Sequence, residues 1–339
     1  MVAQAVSRNK AFRGLRPTDP SRDMGQIAAL IGEAFGRELT RQGREALREM
    51  RIMSHLGPLL WLLDRTSPEF HKSFRGFVWV EEGCIVGNVN VGRADPYSGR
   101  WLISNVAVRP DYRGQGIAHH LVQAAIDLAR DQGGRWVLLQ VYRDNIPAYR
   151  LYQDLGFEQI AAVTELRLER AQSATLARAK ANQGFLLRRR SYSEWSKEYA
   201  LALAATSKEA QWLNPLHTYQ FMVGLDQRFS KWVGNLFTRR REHRLAVEKD
   251  DQFIATLTVQ TSRWRGYHRL EFMVHPDYRG QLEEFLIAKA LSILRGYPER
   301  QVVVNHPTEH RKAIEALKSC GFVEKRTLAQ MRLALRARE

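Results

Sequence analysis

A glycine loop with the composition of an anion-binding site occurs at 113–116, in the order Arg-Gly-Gln-Gly. Glycine adopts positive φ at little cost, and the backbone N–H groups of such a loop and of a following helix converge on negative charge. An apolar stretch precedes the loop at 101–108, and an amphipathic stretch follows it. The residue types therefore predict a strand, a phosphate-binding turn and a helix, although a glycine turn alone often only connects elements.

The same loop occurs a second time with one glycine replaced. Pro-Asp-Tyr-Arg-Gly-Gln at 110–115 recurs at 276–281, but Leu282 stands where Gly116 stood. A second match, Leu-Gly-Phe at 155–157 and Cys-Gly-Phe at 320–322, has nearly the same offset. Two matches in the same order at nearly one spacing predict a duplicated module.

The elements that must position the loop follow the same order in both copies. In each copy two strands joined by a turn (76–94 and 245–260) lead to the strand before the loop (101–108 and 268–274). After the loop come a helix and then a further strand (135–141 and 300–304). A short helix ending near Gly156 or Gly321 completes each copy. A helix over 23–36 precedes the first copy. This order predicts a fold that mixes helices and strands (α/β in the broad sense, α+β with a mixed sheet), built from two tandem domains.

The helix after each loop is predicted from its apolar face. The faces are Ile117, Leu121, Val122, Ala125, Ile126 and Ala129 in the first copy, and Leu282, Phe285, Leu286, Ala290, Ile293 and Leu294 in the second. Each helix is therefore expected to pack this face on the sheet of its own module.

Length and composition agree with two domains. For the 339 residues we predict a first domain at 1–170, a small and polar linker at 171–183, and a second domain at 184–339. The sequence contains neither a long apolar run nor a signal-peptide core, and Cys84 and Cys320 form no disulfide framework or zinc-ligand spacing. We expect a cytoplasmic protein without a bound metal and without a membrane partner.

The positive charge is concentrated in the second half. Residues 171–339 contain 29 Lys+Arg and 17 Asp+Glu, so they carry +12 of the net +16. The surplus indicates an acidic partner (a nucleic acid, a phosphorylated cofactor or an anionic substrate) or a basic surface without a specific partner. Arginines interleaved with Trp and Tyr at 187–195, 238–244 and 262–269 suit phosphate contact and base stacking. They equally suit a solvated face with aromatic rings packed inward.

Residues 106–129 and 138–160 resemble the acetyl-CoA-binding core of the GNAT superfamily of N-acetyltransferases. Arg113, Gly116 and Ala118 match the pattern Arg/Gln-x-x-Gly-x-Gly/Ala, and a later pattern is matched at Asn145, Ala148, Leu151, Tyr152 and 155–157. Within the superfamily the sequence is most similar to the ribosomal-protein alanine N-acetyltransferase type. The resemblance covers most of residues 12–168 and, more weakly, the second half. It implies acetyl-CoA as co-substrate and an amine acceptor, either a small molecule or a peptide.

The resemblance also implies which residues hold acetyl-CoA. The expected cofactor contacts are Val106, Ala107 and Val108 along the pantetheine arm, Arg113, Gly114, Gln115, Gly116, Ile117, Ala118 and His119 around the pyrophosphate, and Asn145 on the arm. Asn145 is also placed to cap the short helix that follows it, since Pro147 lies two residues later. Tyr152 would face the thioester sulfur and act as the general acid that protonates the departing thiolate, unless it is only a face residue of that helix.

Acetyl transfer also requires the acceptor amine to lose a proton, because a lysine amine has a pKa of about 10.4. The two positions at which members of the superfamily have a glutamate are Gln140 and Leu102 here. His119 and His120 are alternative bases or solvated helix positions. We expect a water held by Ser104, Asn105 or backbone carbonyls to relay the proton, and a backbone N–H near Val106 to stabilise the oxyanion.

The second copy lacks the residues that the cofactor needs. Leu282 replaces Gly116, Glu283 and Glu284 follow it, and His310 and Leu317 stand at the places of Asn145 and Tyr152. We predict a degenerate GNAT-like domain, in a layout that resembles mycothiol synthases except that there the degenerate half comes first. The sequence thus predicts an acetyl-CoA-dependent N-acetyltransferase. The alternative is a non-catalytic acetyl-CoA-sensing or nucleic-acid-binding protein on the same scaffold.

Overall fold

The computed structural model describes residues 12–35, 48, 75–94, 98–170, 185–222, 240–263 and 266–335. The chain divides into two compact units. Unit 1 comprises Met1–Gln140, Pro147–Glu158 and Met331–Glu339, and unit 2 comprises Val141–Ile146 and Gln159–Gln330. The predicted linker at 171–183 lies outside the described residues.

The described residues of unit 1 form a five-stranded sheet and three helices longer than one turn. The strands are β1 (Gly14–Pro17), β2 (Gly76–Glu81), β3 (Cys84–Arg93), β4 (Arg100–Val108) and the larger part of β5 (Trp136–Tyr142), and the helices are α1 (Pro20–Phe35), α2 (Ile117–Asp131) and the larger part of α3 (Ile146–Asp154). Strands β1 to β4 are antiparallel neighbours in chain order, and β4 pairs with β5 in parallel. A parallel pair needs a crossover connection, which α2 provides.

Helix α2 packs closely on the sheet of unit 1. Its six predicted face residues, Ile117 to Ala129, are all buried. At Gly87 of β3 a Cβ atom would come within 2.9 Å of the side chain of Leu121 and 3.0 Å of that of Ile117. Glycine at this position therefore lets the first turns of α2 approach β3, which fixes the position of the loop before the helix.

Unit 2 contains the second copy and the strand that follows the first. In chain order its described elements are β6 (Glu158–Leu168), β7 (Leu187–Arg189), α4 (Trp195–Ala205), α5 (Lys208–Leu213), β8 (Arg240–Lys249), β9 (Gln252–Ser262), β10 (His268–Val274), α6 (Glu283–Leu294), β11 (Val302–Pro307), α7 (Arg311–Ser319) and the larger part of β12 (Val323–Ala334). The strand order is β12-β6-β11-β10-β9-β8-β7. Strands β10 and β11 pair in parallel, as β4 and β5 do.

Strand β6 joins the sheet of unit 2. It pairs antiparallel with β11, from Leu168 opposite Val302 to Val163 opposite Pro307. Leu166 and Leu168 are buried in the core of unit 2 with residues of α6 and β11. The sequence-based boundary at residue 170 had placed this strand with the first domain.

The predicted mixed α/β class is confirmed, and the described elements follow the predicted order in both copies. The turns predicted within 76–94 and 245–260 contain residues of positive φ, +50° at Glu82 and +60° at Asp251. No helix among the described residues is both long and apolar enough to cross a membrane.

Candidate functional site

Strand β4 carries a bulge in its middle. The register of β3 and β4 shifts between Asn88 and Asn90, so two residues of β4, Asn105 and Val106, lie opposite one residue of β3. Asn105 has φ +52°, an unusual conformation that asparagine tolerates better than most residues. The fully buried Asn88 donates from Nδ2 to the Asn105 carbonyl at 3.0 Å and so holds the bulge. A bulge leaves its extra residue outside the ladder, so backbone groups at this point are available to a ligand.

Strands β4 and β5 part where a ligand arm could enter. Their parallel pairing runs from Arg100 opposite Trp136 to Leu102 opposite Leu138, and their described residues form no further pair although β4 continues to Val108. The β5-facing backbone edge of Val106–Val108 is therefore open to hydrogen bonds from an extended amide chain. These are the residues predicted to line the pantetheine arm.

The glycine loop has the conformation that the sequence predicted. After a 3₁₀ turn at Pro110–Tyr112, Gly114 has φ +78° and Gly116, the residue before α2, has φ +77°. The first turn of α2 contains no acidic residue, and no side chain caps it. Arg113 donates from Nε to the Val108 carbonyl at 3.1 Å, which ties the loop to the end of β4. The loop and helix terminus thus form an uncapped, electropositive end.

The other residues predicted around the pyrophosphate divide by exposure. Gln115 and His119 are exposed, Ala118 is half-buried, and Ile117 is buried against the sheet. The side chain of Ile117 therefore anchors the helix, and only its backbone could face a phosphate.

Tyr152 lies in α3 and is 5% exposed. Its ring packs edge-to-face on Phe157, with the ring centroids 5.9 Å apart. No hydrogen bond of its hydroxyl to a described residue is formed, and burial raises the pKa of Tyr152 to about 12. A phenol in this state is protonated across the physiological range, as a proton donor must be.

Asn145 directly precedes α3, the position expected of a helix-capping residue, but it belongs to the segment Val141–Ile146 that groups with unit 2. Its predicted contact with the cofactor arm stays a prediction.

The positions considered for a base carry no carboxylate. Gln140 is exposed on β5, and Leu102 is 40% exposed on β4. His119 and His120 are both exposed, and the His120 ring stacks on Trp79 with the ring centroids 5.5 Å apart. Ser104 and Asn105 are exposed beside the bulge, where they could hold a water. No group of three His, Cys, Asp or Glu side chains among the described residues is arranged to hold a metal ion.

In the second loop, side chains of the chain itself occupy the place that corresponds to the anion site. Leu282 has φ −108° and is 1% exposed, so its side chain lies in the core. The buried Glu283 accepts a hydrogen bond at Oε2 from the Gly280 N–H at 2.7 Å, where the first loop offers its N–H groups to solvent. Burial raises the pKa of Glu283, and the backbone N–H groups that it accepts from partly offset this. A carboxylate of the chain stands where a phosphate would bind.

Two further differences separate the copies. The register of β9 and β10 runs without a shift from Arg269 opposite Gln260 to Val274 opposite Ala255, so β10 has no bulge. Leu317, at the place of Tyr152, is fully buried in the core of unit 2. Sequence reasoning missed the bulge, although an asparagine inside an apolar strand was the available signal.

Several arginines of the basic clusters are paired inside the fold. Arg188 contacts Glu194 at 2.6 Å and Glu248 at 2.5 Å. Arg190 and Arg244 both pair with Glu198, and the Arg244 guanidinium lies 3.9 Å from the ring centroid of Tyr192. These contacts agree, for this part of the chain, with the second alternative, in which arginine stems pack over aromatic rings at the protein surface. Nucleic-acid binding stays an untested prediction.

Part of the chain is similar in sequence to known acetyltransferases. Residues 40–157 match the model of the acetyltransferase (GNAT) family. The chain is 34% identical over 93 residues to N-alpha-acetyltransferase 30 of Schizosaccharomyces pombe, which covers 26% of this chain and 58% of that protein. It is 28% identical over 126 residues to the N-alpha-acetyltransferase RimI of Mycobacterium tuberculosis, which covers 36% of this chain and 77% of that protein. The chain spans about half the length of several curated relatives that it matches.

Solved structures show the same fold over nearly the whole chain. A GCN5-related N-acetyltransferase from Sphaerobacter thermophilus has a TM-score of 0.59 at 17% identity and covers 95% of both chains. A tandem GNAT protein from the clavulanic acid biosynthesis pathway has a TM-score of 0.56 at 18% identity and covers 94% of this chain and 98% of that one. At these identities the likeness concerns the fold alone, and it extends to the tandem arrangement.

Proposed function

We propose that this chain, whose residues 40–157 match the model of the acetyltransferase (GNAT) family, transfers an acetyl group from acetyl-CoA to a primary amine. The transfer takes place in the first copy of the module. The second copy is a folded partner domain without a cofactor of its own.

One observation carries the proposal: the bulged, parting strand β4 leads directly into an uncapped glycine loop. The open edge at Val106–Val108 suits an extended amide chain, and the N–H groups around Gly114 and Gly116 suit a pyrophosphate. The two features follow each other within one segment of unit 1, in the order in which pantetheine and pyrophosphate follow each other in CoA. The second copy has neither the bulge nor the uncapped loop.

In the proposed reaction the neutral amine attacks the thioester carbonyl, a C–N bond forms and the C–S bond breaks. The N–H of Val106, displaced from the β3 ladder by the bulge, stabilises the oxyanion. Tyr152 donates its proton to the departing thiolate and is reprotonated from solvent. A free thiol has a pKa of about 8.5 and burial raises the pKa of Tyr152 to about 12, so this proton transfer is uphill, and reprotonation of the phenolate from solvent completes it.

The acceptor amine loses its proton through water rather than to a carboxylate. Gln140 and Leu102 cannot accept a proton, and the exposed Ser104 and Asn105 lie on β4 next to the oxyanion position. Holding amine and thioester together supplies a large share of the acceleration. A water-relayed base predicts a rate that rises with pH until the amine itself is neutral.

The proposal is tested by calorimetric titration of the full chain with acetyl-CoA, followed by an assay of CoA release with a panel of primary amines. We expect one acetyl-CoA per chain and release of CoA with at least one class of amine. Two equivalent sites would contradict the assignment of the second copy. Tight binding without CoA release for any small amine, lysine or peptide N-terminus would favour the cofactor-sensing alternative.

A further inference from the structure

Unit 2 contains a cavity of about 180 Å³ at the point where β10 and β11 part. Their parallel pairing ends at Leu270 opposite Val304, and beyond it Phe272 and Val274 of β10 and His306 of β11 line the cavity. This is the place that corresponds to the slot between β4 and β5 in unit 1. The slot has thus survived in the second copy after the phosphate loop beside it was filled by Leu282 and Glu283.

His306 is a buried polar group without a hydrogen-bond partner among the described residues. It is 5% exposed, and its ring stacks on Phe272 with the centroids 4.7 Å apart. Its side chain lines the cavity. Burial, with the nearby charge of Arg279, lowers the pKa of His306 to about 3, so the imidazole is neutral. A neutral imidazole has one donor and one acceptor, and since no described residue uses either, both are available to a ligand in the cavity.

The rim of the cavity is cationic. Arg279, Arg311 and Lys312 line it together with Glu283 and Glu309. Arg279 donates from Nη2 to the Ala205 carbonyl at 2.7 Å, which holds its guanidinium in place, and its charge lowers the pKa of both His306 and His310. Three cations against two carboxylates leave the rim with a formal charge of +1 when all five groups are ionised.

Size and lining define the class of ligand. A cavity of about 150 Å³ accommodates benzene, so about 180 Å³ holds a molecule of roughly six to ten non-hydrogen atoms. The walls formed by Phe272, Val274 and Ala313 require an apolar body, which inorganic phosphate lacks. We propose that this cavity is a binding site for a small organic carboxylate, with the carboxylate among the rim cations and His306 and the apolar body against Phe272 and Val274. The site goes beyond the proposed transfer reaction and does not depend on it.

The test is a titration of the full chain, without acetyl-CoA, using sodium benzoate, butyrate and inorganic phosphate as probes. Calorimetry measures affinity, and the nitrogen shifts of His306 in ¹H–¹⁵N spectra report the site. We expect one saturable benzoate site per chain in the millimolar range or tighter, weaker binding of butyrate, and little binding of phosphate. His306→Phe is expected to lower benzoate affinity by at least about tenfold, whereas His217→Phe, on an exposed residue outside the cavity, leaves it unchanged.

A second variant keeps the test decisive if His306→Phe unfolds. Lys312→Ala removes a rim cation whose side chain is 67% exposed, so it spares the core, and it is expected to weaken benzoate binding several-fold. Lys318→Ala, on the same helix but outside the cavity, is the matched control. Absence of saturable benzoate binding up to about 20 mM, equal binding of phosphate and benzoate, or equal effects of the two lysine variants would each overturn the proposal.

Discussion

The substitution Gly116→Leu tests most directly the proposal that the first loop binds a cofactor and the second does not. It gives the first loop the residue that the second has at Leu282. Gly116 has φ +77°, where a leucine costs about 1–2 kcal/mol. A Cβ atom there would meet only the ring of His120, at 4.0 Å, so no clash adds to this cost. A stability of about 5–15 kcal/mol tolerates the change, and the variant is expected to fold.

The effect on binding is expected to be larger than the effect on folding. A branched side chain directly before α2 would cover the N–H groups at the helix terminus, which no other side chain caps. Loss of the pyrophosphate contacts should lower acetyl-CoA affinity at least 100-fold, which corresponds to about 2.7 kcal/mol. Gly116→Ala carries the same backbone strain with a smaller side chain, so its acetyl-CoA affinity should lie between those of the wild type and Gly116→Leu.

A matched control separates strain from blocked binding. Gly133, just past the other end of α2, has φ +71°, and a Cβ atom added there would meet nothing within 4 Å, so Gly133→Leu should cost similar stability and no affinity. Urea unfolding measures the first quantity and calorimetry with acetyl-CoA the second. Acetyl-CoA affinity of Gly116→Leu within about threefold of the wild type would refute the reasoning. An equal loss in Gly133→Leu would show that strain alone accounts for it.

Three further predictions concern the bulge, the acid and a buried ion pair. Because Asn105 has φ +52°, Asn105→Val should lower kcat/KM about tenfold or more while Asn105→Gly retains most of it, and equal losses would assign the effect to the side chain. Tyr152→Phe should lower kcat by about 10²–10⁴-fold with acetyl-CoA affinity nearly intact. Since burial raises the pKa of Tyr152 to about 12, deprotonation of this phenol should not lower the wild-type rate below about pH 10. A fall in the rate below that pH would contradict the role of Tyr152 as the acid. Glu198→Ala leaves two buried arginines unpaired and should destabilise the chain to urea by about 3–5 kcal/mol, whereas Glu271→Ala, at a half-exposed pair, should cost less than about 1 kcal/mol.

The sequence predicted those parts of the fold that are determined locally. The face of α2 from Ile117 to Ala129 was predicted completely because its apolar residues recur with one clear helical period. The face of α6 was predicted only in part: Ile287 and Leu291 are buried there, whereas Phe285 and Ile293 are partly exposed. The apolar residues of α6 run almost continuously, so periodicity could not choose among them.

The non-local features could not be predicted from periodicity. Strand β6 has alternating burial, yet nothing within its residues specifies β11 as its partner. The buried position of Glu283 was unexpected because the sequence offers it as a charged residue beside Glu284, and only the backbone N–H of Gly280 explains why it turns inward. The bulge at Asn105 depends on Asn88, which lies on another strand. Each of these features is decided by a partner distant in sequence or by a backbone group that the pattern does not display.

The differences between the two copies follow from which residues the fold itself requires. Both copies keep the parting parallel strands, and Gly156 and Gly321 have φ of +87° and +92° after their short helices. These features close each module and cannot change without cost to folding. In the proposed reaction the bulge, the second glycine of the loop and the tyrosine of the short helix serve the ligand, and the second copy has none of the three. In the second copy the side chains of Leu282 and Glu283 pack inward at the loop, so the module folds without a phosphate. The gap between the strands belongs to the retained set, since it arises from the parallel pairing and not from the cofactor. The second copy therefore keeps a cavity beside a loop that Glu283 occupies, and this is the condition under which a smaller anion can use it.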